Sequence, residues 1–181
     1  LGYKTHRVYG PEFMLALCSL AQANSYRIFL YGTTKKILKK LTKRLKTDFS
    51  RLEIVGVFAP PFRSLRTNEE FRVRRLINKT NPHIIFVGLS TPKQERWMAR
   101  QSPHLQTNVL VGVGAAFDFL SGTVRQAPFF IQQSGFEWSF RLFQDPLRLW
   151  KRYTIGIILF MCYSLREFSY LLLDRITRAE S

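Results

Sequence analysis

The sequence predicts an α/β protein, a Rossmann-like three-layer sandwich with a mostly parallel sheet, followed by a helical C-terminal appendage. Four apolar runs carry this prediction: RIFLYG (27–32), LEIVGVF (52–58), HIIFVGLS (83–90) and NVLVGVGAA (108–116). Their apolar character is nearly continuous rather than alternating, which is typical of parallel strands covered by helices on both faces. Helical segments lie between the runs, and strands that alternate with helices indicate βαβ units.

Three segments have the apolar spacing of helices. Residues 11–23 form the first, and Thr33 or Thr34 is positioned to cap the second at its N-terminus. The residues expected on the buried stripes of the second and third helices are Ile37, Leu38, Leu41 and Leu45 in 33–46, and Phe71, Leu76 and Ile77 in 68–80. In such a sheet, ligands bind outside the carboxyl ends of the strands.

Composition indicates a single sizeable core and an affinity for anions. The chain has 181 residues, of which 46% are apolar, and 28 Lys and Arg outnumber 12 Asp and Glu to give a net charge of +16. A surface this basic favours nucleic acid, acidic lipid headgroups or phosphorylated substrates. Cys18 and Cys162 are widely separated in apolar surroundings, so both are expected to be buried, reduced thiols. The three histidines lack metal-ligand spacing, and we expect no metal site.

The composition of the sequence changes near residue 125, after which aromatic residues and arginines are frequent. We expect residues 1–124 to form a sugar-nucleotide-binding core and 125–181 a helical, basic and aromatic appendage. The apolar run 153–163 is about half of the ~20 residues that a spanning helix needs, and charged residues interrupt the sequence after it. An amphipathic helix that lies on a membrane or packs on the body is therefore expected, with headgroup-level anchors at 150–153.

The segment VGVGAAFDF (111–119) follows a strand and opens a helix. Gly112 and Gly114 fit the first two glycines of a dinucleotide fingerprint, but Phe117 occupies the third position, where bulk prevents close contact between helix and strand. This pattern disfavours a nicotinamide dinucleotide, whereas a phosphate or nucleoside contact is compatible with the turn. Asp118 has two interpretations: it holds a sugar or base hydroxyl, or it is a first-turn carboxylate favoured by the helix dipole.

Two basic regions each have more than one interpretation. The helix at 35–46 carries seven Lys or Arg and no acid, which fits a solvated face, contact with anionic lipid, or contact with nucleic acid. In the tail, Arg141, Arg148 and Arg152 recur at spacings of seven and four, which keeps them near one face of a continuous helix. They form either surface ion pairs or a clamp on a diphosphate, for which the planar guanidinium is suited.

The segment VGLSTPKQERW (87–97) opens a helix at the carboxyl end of a strand. Pro92 fits the first turn, with Ser90 or Thr91 expected as the cap. Trp97 and its neighbour Met98 are expected to face the core. Helix-start chemistry accounts for Glu95 but less well for Gln94, which makes Gln94 the candidate ligand-binding residue.

Three segments in register give the chain a resemblance to the WecG/TagA/CpsF glycosyltransferase family (glycosyltransferase family 26). They are VGLSTPKQERW, VGVGAAFDFLSGTVRQAP and GFEWSFRLFQDPLRLWKRY, and HRVYGPEF (6–13) resembles the same family's Arg-Val-x-Gly segment. The resemblance implies a metal-independent, inverting transferase with a modified α/β fold and a membrane-associating C-terminal appendage. Such enzymes move N-acetylhexosamine, typically N-acetylmannosamine, from UDP to a polyprenyl-diphosphate-linked sugar.

The resemblance also implies roles for individual residues. Gln94 and Arg7 match active-site positions of the family and are the expected catalytic residues. Positions expected to bind substrate are Lys93, Glu95, Gly112, Gly114, Asp118, Arg141, Arg148 and Arg152. No cofactor is expected beside the UDP-sugar donor, and the expected partners are that donor, the lipid-linked acceptor and an anionic membrane surface, with no specific nucleic acid.

One departure from the family pattern affects the expected activity. The family's general base is an Asp in an upstream Asn-Ala-Asp-Gly-like segment, whereas here no acidic residue precedes Glu12. We therefore expect an N-terminally truncated chain. From the family resemblance we expect it to act peripherally on the inner face of the cell membrane, in cell-surface polysaccharide or teichoic acid synthesis. The alternatives are a non-catalytic donor- or lipid-binding subunit without its base, and a nucleic-acid-binding module.

Overall fold

The computed structural model describes residues 8–134 and 136–179 and confirms the α/β prediction. Four strands form one parallel sheet in the order β2-β1-β3-β4. The elements in chain order are α1 Gly10–Ala23, β1 Ile28–Gly32, α2 Lys35–Asp48, β2 Ile54–Phe58, α3 Thr67–Thr80, β3 Ile84–Gly88, α4 Lys93–Gln101, β4 Val109–Gly112, α5 Ala116–Leu120, α6 Phe129–Gln133, α7 Glu137–Gln144 and α8 Pro146–Ala179.

Helices cover both faces of the sheet, as the continuous apolar runs predicted. The central strands β1 and β3 are fully buried, whereas the edge strands β2 and β4 are partly exposed. Successive residues of β1 point to opposite sides: Leu30 packs in the core beneath α1, α2 and α5, and Tyr31 packs in the core beneath α3 and α4. The three layers therefore follow from two separate hydrophobic clusters, one on each side of the sheet.

Helix α2 forms as its sequence predicted. Leu38, Leu41 and Leu45 recur at helical spacing, and all three are buried against the sheet. Thr34 is the N-cap, and its hydroxyl accepts a hydrogen bond of 3.3 Å from the Ile37 N–H. The charged residues between the leucines consequently face outwards.

The stripe predicted for α3 is partly wrong. Ile77 is buried as expected, but its partner in the core is Val73, one helical turn earlier, and Phe71 and Leu76 are exposed. Residues four apart lie on the same row of a helix, so the Val73–Ile77 row faces the sheet. Phe71 and Leu76 flank that row on opposite sides and point away from the core.

Residues Leu1–Arg125 and Gln126–Ser181 form two compact units. In the second unit α7 packs against both α6 and α8, and α8 is a single helix of 34 residues. Its apolar side chains between residues 155 and 170 are exposed, and so is Cys162, which contradicts its expected burial; Cys18 lies in the core as expected. Among the described residues, no helix combines the length and the apolar character needed to cross a membrane.

Candidate active site

The carboxyl ends of β1 and β3 lie side by side at the centre of the sheet. β1 leads into α2 on one face and β3 into α4 on the other, so the two connections diverge and leave a crevice between them. A switch point of this kind is where open α/β sheets bind their ligands. Gly32 has a φ of +135°, and a Cβ there would lie 2.6 Å from the Gly88 carbonyl carbon. The Thr33 N–H donates to the Gly88 carbonyl oxygen at 3.0 Å, which joins the two loops at the base of the crevice.

A third loop, the turn from Gly112 to Gly114 between β4 and α5, lies at the same edge. Its Val113 N–H donates to the Val87 carbonyl oxygen at 2.9 Å, which fixes the turn beside the end of β3. Gly114 has a φ of +52°, a conformation that favours glycine. A Cβ on Gly112 would overlap the amide nitrogen of Gln94 and lie 2.9 Å from its Cδ. Gly114 therefore allows the backbone conformation of the turn, and Gly112 leaves room for the side chain of Gln94.

Gln94 is a buried polar residue, with only 7% of its surface exposed. Its Oε1 accepts a hydrogen bond of 2.8 Å from the Gly114 N–H, and its Nε2 lies 3.5 Å from Oε1 of Glu95. The expected catalytic residue is thus bonded to the turn that was expected to bind substrate. In the structure Gln94 positions the turn, while its contact with a substrate stays a prediction.

The start of α4 differs from the cap predicted for it. Pro92 is the N-cap, follows a cis peptide bond, and has no side chain that can accept a hydrogen bond. Thr91 donates its hydroxyl to the Glu95 carboxylate at 3.2 Å instead of capping the helix, and Ser90 contributes its backbone carbonyl to the Gln94 N–H at 3.1 Å. Lys93 and Glu95, which flank Gln94, are exposed at the carboxyl edge, where a ligand can reach them.

An aromatic stack holds α4 against the end of β1. The Trp97 ring lies 3.9 Å from the Tyr31 ring, centroid to centroid, and both side chains are buried, as predicted for Trp97. Met98 packs against the same cluster. Burial raises the pKa of the Tyr31 phenol well above its usual range, so this group stays neutral. The stack fixes the helix that carries Gln94.

A second connection ties α4 to α3 and went unrecognised in the sequence. Arg74 donates through Nε to Oε1 of the buried Gln101 at 2.6 Å. Glu70 forms ion pairs with Arg74 and with Arg100. The charge alternation in these helices was visible in the sequence, but the pairing across 27 residues requires the packed fold.

The position of Phe117 explains how the fold accommodates a bulky residue in place of the third fingerprint glycine. Phe117 is completely buried, and a Cβ on Gly88 would lie 2.6 Å from Cγ of its ring. Close contact between helix and strand is therefore made possible by Gly88 of β3, which leaves room for the Phe117 ring of α5. Asp118 follows in α5 and is half-buried; its contact with a sugar or base hydroxyl remains a prediction.

Helix α1 begins beside the same turn. A Cβ on Gly10 would be 3.5 Å from the Val113 carbonyl oxygen and 4.0 Å from Cβ of Ala116. Arg7, the second expected catalytic residue, lies outside the described residues. The chain that follows it enters α1 at the carboxyl edge, because Gly10 lies against the turn between β4 and α5.

The tail arginines do not share one continuous helix. Arg141 belongs to α7, which ends at Gln144, whereas Arg148 and Arg152 belong to α8, which begins at Pro146. The expectation of a single arginine face therefore fails at this break. Arg148 and Arg152 still lie four residues apart on one helix; the structure describes the backbone positions of all three arginines but not their side chains.

The carboxyl edge has the chemistry of an anion site. The N-termini of α2 and α4 point to it, and exposed lysines occupy both first turns: Lys35, Lys36 and Lys93. Free N–H groups and the helix dipole favour negative charge at such ends. Within residues 8–134 and 136–179, no three His, Cys, Asp or Glu side chains come together as a metal-ligand group. The edge is thus suited to a phosphorylated ligand.

A doubly wound parallel sheet whose carboxyl edge carries lysines and helix N-termini is typical of the class of α/β folds suited to anionic ligands. The chain belongs to the WecG/TagA/CpsF family of glycosyl transferases, which it matches over residues 1–171. This confirms the resemblance seen in the sequence.

Two curated relatives share the name N-acetylglucosaminyldiphosphoundecaprenol N-acetyl-beta-D-mannosaminyltransferase. The protein from Bacillus subtilis (strain 168) is 31% identical over 146 residues, which cover 81% of this chain and 55% of the relative. The protein from Staphylococcus aureus (strain MW2) is 27% identical over 155 residues, which cover 86% of this chain and 59% of the relative. The chain therefore spans little more than half the length of these relatives.

Proposed function

We propose that this chain is part of an inverting glycosyltransferase that moves N-acetylmannosamine from a UDP donor to a polyprenyl-diphosphate-linked sugar in cell-surface polysaccharide or teichoic acid synthesis. The observation that carries the proposal is the hydrogen bond from Gly114 to Gln94, which assembles the turn and α4 beside the crevice. The names of the relatives supply the substrate class, an N-acetylmannosaminyl group and an N-acetylglucosaminyl-diphosphoundecaprenol acceptor.

The proposed reaction is a single displacement at the anomeric carbon of the donor. The acceptor hydroxyl loses its proton to a base and attacks this carbon, while the bond from the carbon to the UDP oxygen breaks and UDP leaves. The leaving diphosphate gains negative charge as the bond breaks. Fixed cations and N–H donors stabilise such charge, and we assign this role to Lys93 and the N-terminus of α4, which lie at the carboxyl edge.

We assign the remaining roles by position. Gln94 holds the Gly112–Gly114 turn against the donor, Glu95 orients sugar hydroxyls, and Asp118 accepts a hydrogen bond from the ribose or sugar. The arginines assigned to the phosphate groups are Arg7, Arg141, Arg148 and Arg152. These assignments follow from the family match and from the carboxyl-edge location of the described residues.

The proposed acceptor is lipid-linked, so the proposed reaction takes place at a membrane surface. The exposed apolar side chains of α8, which include Ile158, Phe160 and Leu165, support peripheral association, because such residues enter the headgroup boundary of a bilayer. The proposed location is the inner face of the cell membrane.

Titration calorimetry of the chain with UDP-N-acetylmannosamine tests donor binding without requiring turnover. Replacement of Gln94 by alanine frees the turn, so we expect donor binding to weaken by up to about tenfold, the equivalent of one lost hydrogen bond. Gln101→Ala is the matched control, since it truncates another buried glutamine of α4 that bonds to Arg74 instead of the turn.

The control should bind donor within about twofold of the wild type, although it also loses a buried hydrogen bond. Combining Gln94→Ala with Arg7→Ala should abolish detectable binding. Donor affinity that is unchanged in this double variant would contradict both assignments.

A further inference from the structure

Six lysines cover the exposed side of α2. The buried row of this helix is Leu38, Leu41 and Leu45. The residues of the exposed side are Lys35, Lys36, Lys39, Lys40, Lys43 and Lys46, and we call them the lysine face. Within it, Lys39, Lys40 and Lys43 lie beyond the first turn and on the side of the helix away from the buried row.

The lysine face has no acidic counterpart within α2. The helix contains one acid, Asp48, whose carboxylate is 3.3 Å from Nε of Arg44. Arg44 also donates to the Leu120 carbonyl oxygen at 3.2 Å, which directs it towards α5. In the part of the chain that the structure describes, none of the ion pairs involves a lysine of α2.

This charge pattern opposes helix stability. Lysines four residues apart, such as Lys35 and Lys39 or Lys39 and Lys43, repel each other along the helix. Lys35 and Lys36 also occupy the first turn, where the helix dipole disfavours positive charge. If the face were only solvated, interspersed Glu would make the helix more stable, as Glu69 and Glu70 do in the first turn of α3. The uniform sign is therefore explained better by an anionic partner than by solvation.

The position of the lysine face limits what that partner is. Its first lysines lie at the carboxyl edge, two and three residues beyond Thr33, which is bonded to Gly88 at the crevice. A second copy of this chain has the same net charge of +16 and would be repelled. An anionic bilayer attracts clustered lysines across about one Debye length, and it also contains the lipid-linked acceptor.

We propose that the lysine face of α2 is the surface by which the α/β unit docks on anionic lipid headgroups, so that the crevice faces the bilayer that carries the acceptor. This inference rests on the proposed function for its choice of occupant. It concerns the α/β unit alone and adds an electrostatic contact to any contribution of α8. Docking through this face brings the carboxyl edge alongside the headgroups.

Vesicle sedimentation with the 181-residue chain tests the docking surface. The vesicles contain phosphatidylglycerol and phosphatidylcholine, with pure phosphatidylcholine as the uncharged reference. Two variants remove the same charge from opposite faces of the sheet, namely K39Q/K40Q/K43Q on α2 and R72Q/R75Q/K79Q on α3. Each lysine near an anionic surface contributes roughly a fivefold gain in binding, so the α2 variant should bind these vesicles on the order of 100-fold more weakly.

The α3 variant should stay within about threefold of the wild type, since only its long-range attraction falls. Equal losses in both variants would show that net charge alone governs binding and would overturn the inference. A selective loss of single-stranded oligonucleotide binding, with vesicle binding unchanged, would overturn it in favour of nucleic acid. Circular dichroism confirms that both variants fold.

Donor titration keeps this inference separate from the proposed function. The α2 variant should bind UDP-N-acetylmannosamine like the wild type, because its three lysines lie beyond the first turn of α2 and so outside the anion site at the carboxyl edge. If the wild type binds no UDP-sugar but the vesicle difference persists, the proposed function fails and the docking surface stands. If donor binds normally and the α2 variant keeps its vesicle affinity, the docking surface alone fails.

Discussion

Replacing Gly112 by alanine should destabilise the protein only while Gln94 is present. The added Cβ would overlap the amide nitrogen of Gln94 and lie 2.9 Å from its Cδ and 3.2 Å from Sδ of Met98. Non-bonded carbon atoms prefer separations of about 3.5–4.0 Å. The Gln94 side chain must therefore move, and its 2.8 Å hydrogen bond with the Gly114 N–H is lost.

The size of the effect follows from three contributions. Overfilling a packed site costs about 1–3 kcal/mol, and the lost hydrogen bond costs about 0.5–1.5 kcal/mol. Alanine has less conformational freedom than glycine in the unfolded chain, which stabilises the folded state by about 0.4–1 kcal/mol. This gain applies because Gly112 has no positive φ that would strain an alanine. The net loss expected for Gly112→Ala is about 2 kcal/mol. In a Gln94→Ala background the hydrogen bond is already absent and the close contact that remains is with the flexible Met98 side chain, so the substitution should be within about 1 kcal/mol of neutral.

Urea unfolding measures this difference in the free energy of unfolding. With Trp138 and Trp150 replaced by Phe, the buried Trp97 is the one tryptophan left in the sequence and reports on the α/β unit. Gly122→Ala is the control: its φ is +68° and its Cβ would meet nothing within 4 Å, so it should cost about 1 kcal/mol in either background. If Gly112→Ala costs the same with and without Gln94, to within about 0.5 kcal/mol, the contact does not couple the two residues.

Two further predictions concern ionisable groups. The Arg63 guanidinium and the Arg66 N–H lower the pKa of Glu69 from 4.5 to about 2, so the stabilisation by this carboxylate is complete above pH 4.5 and is lost as the pH falls towards 2. The stability advantage of the wild type over E69Q should shrink over that interval in acid-dependent thermal unfolding, and an advantage independent of pH would contradict this. Burial raises the pKa of the Cys18 thiol to about 12, whereas Cys162 is exposed. A charged thiol reagent at about pH 8, near the ordinary thiol pKa, should therefore modify one thiol of the folded chain rapidly, and C162S should abolish that fast reaction; two fast thiols would refute the buried position of Cys18.

Periodicity predicted the fold because it reports burial directly. Runs such as RIFLYG are apolar at nearly every position, which requires cover on both faces, and β1 is buried at every position. The prediction was wrong where flanking apolar residues were included in a stripe: Phe71 and Leu76 lie to either side of the Val73–Ile77 row and are exposed. Hydrophobicity alone does not distinguish the buried Val73 and Ile77 from the exposed Phe71 and Leu76. The four-residue spacing of Val73 and Ile77 does distinguish them.

The sequence predicted where the site lies better than how it is assembled. Strand ends followed by polar residues indicated the carboxyl edge, and Gly112, Gly114 and Gln94 meet there. Their contact could not be predicted, because Gln94 and Gly114 are 20 residues apart and come together only when β3 and β4 pair. The close approach of Gly32 to Gly88 was missed for the same reason, although a glycine at the end of each central strand was a visible signal.

The geometry of Gln94 changes the type of role that it can have. Its carbonyl oxygen is occupied by the Gly114 N–H, and a buried amide cannot act as a general base. A residue of this kind affects rate through the position of the group it holds, and displacement of a reacting group by about 1 Å can cost on the order of 100-fold in rate. Since Gly112 lacks a side chain where the Gln94 amide lies, the turn and the glutamine form one unit. Substitution of Gly112 or of Gln94 should therefore change donor binding in the same direction, because both residues set the position of the turn.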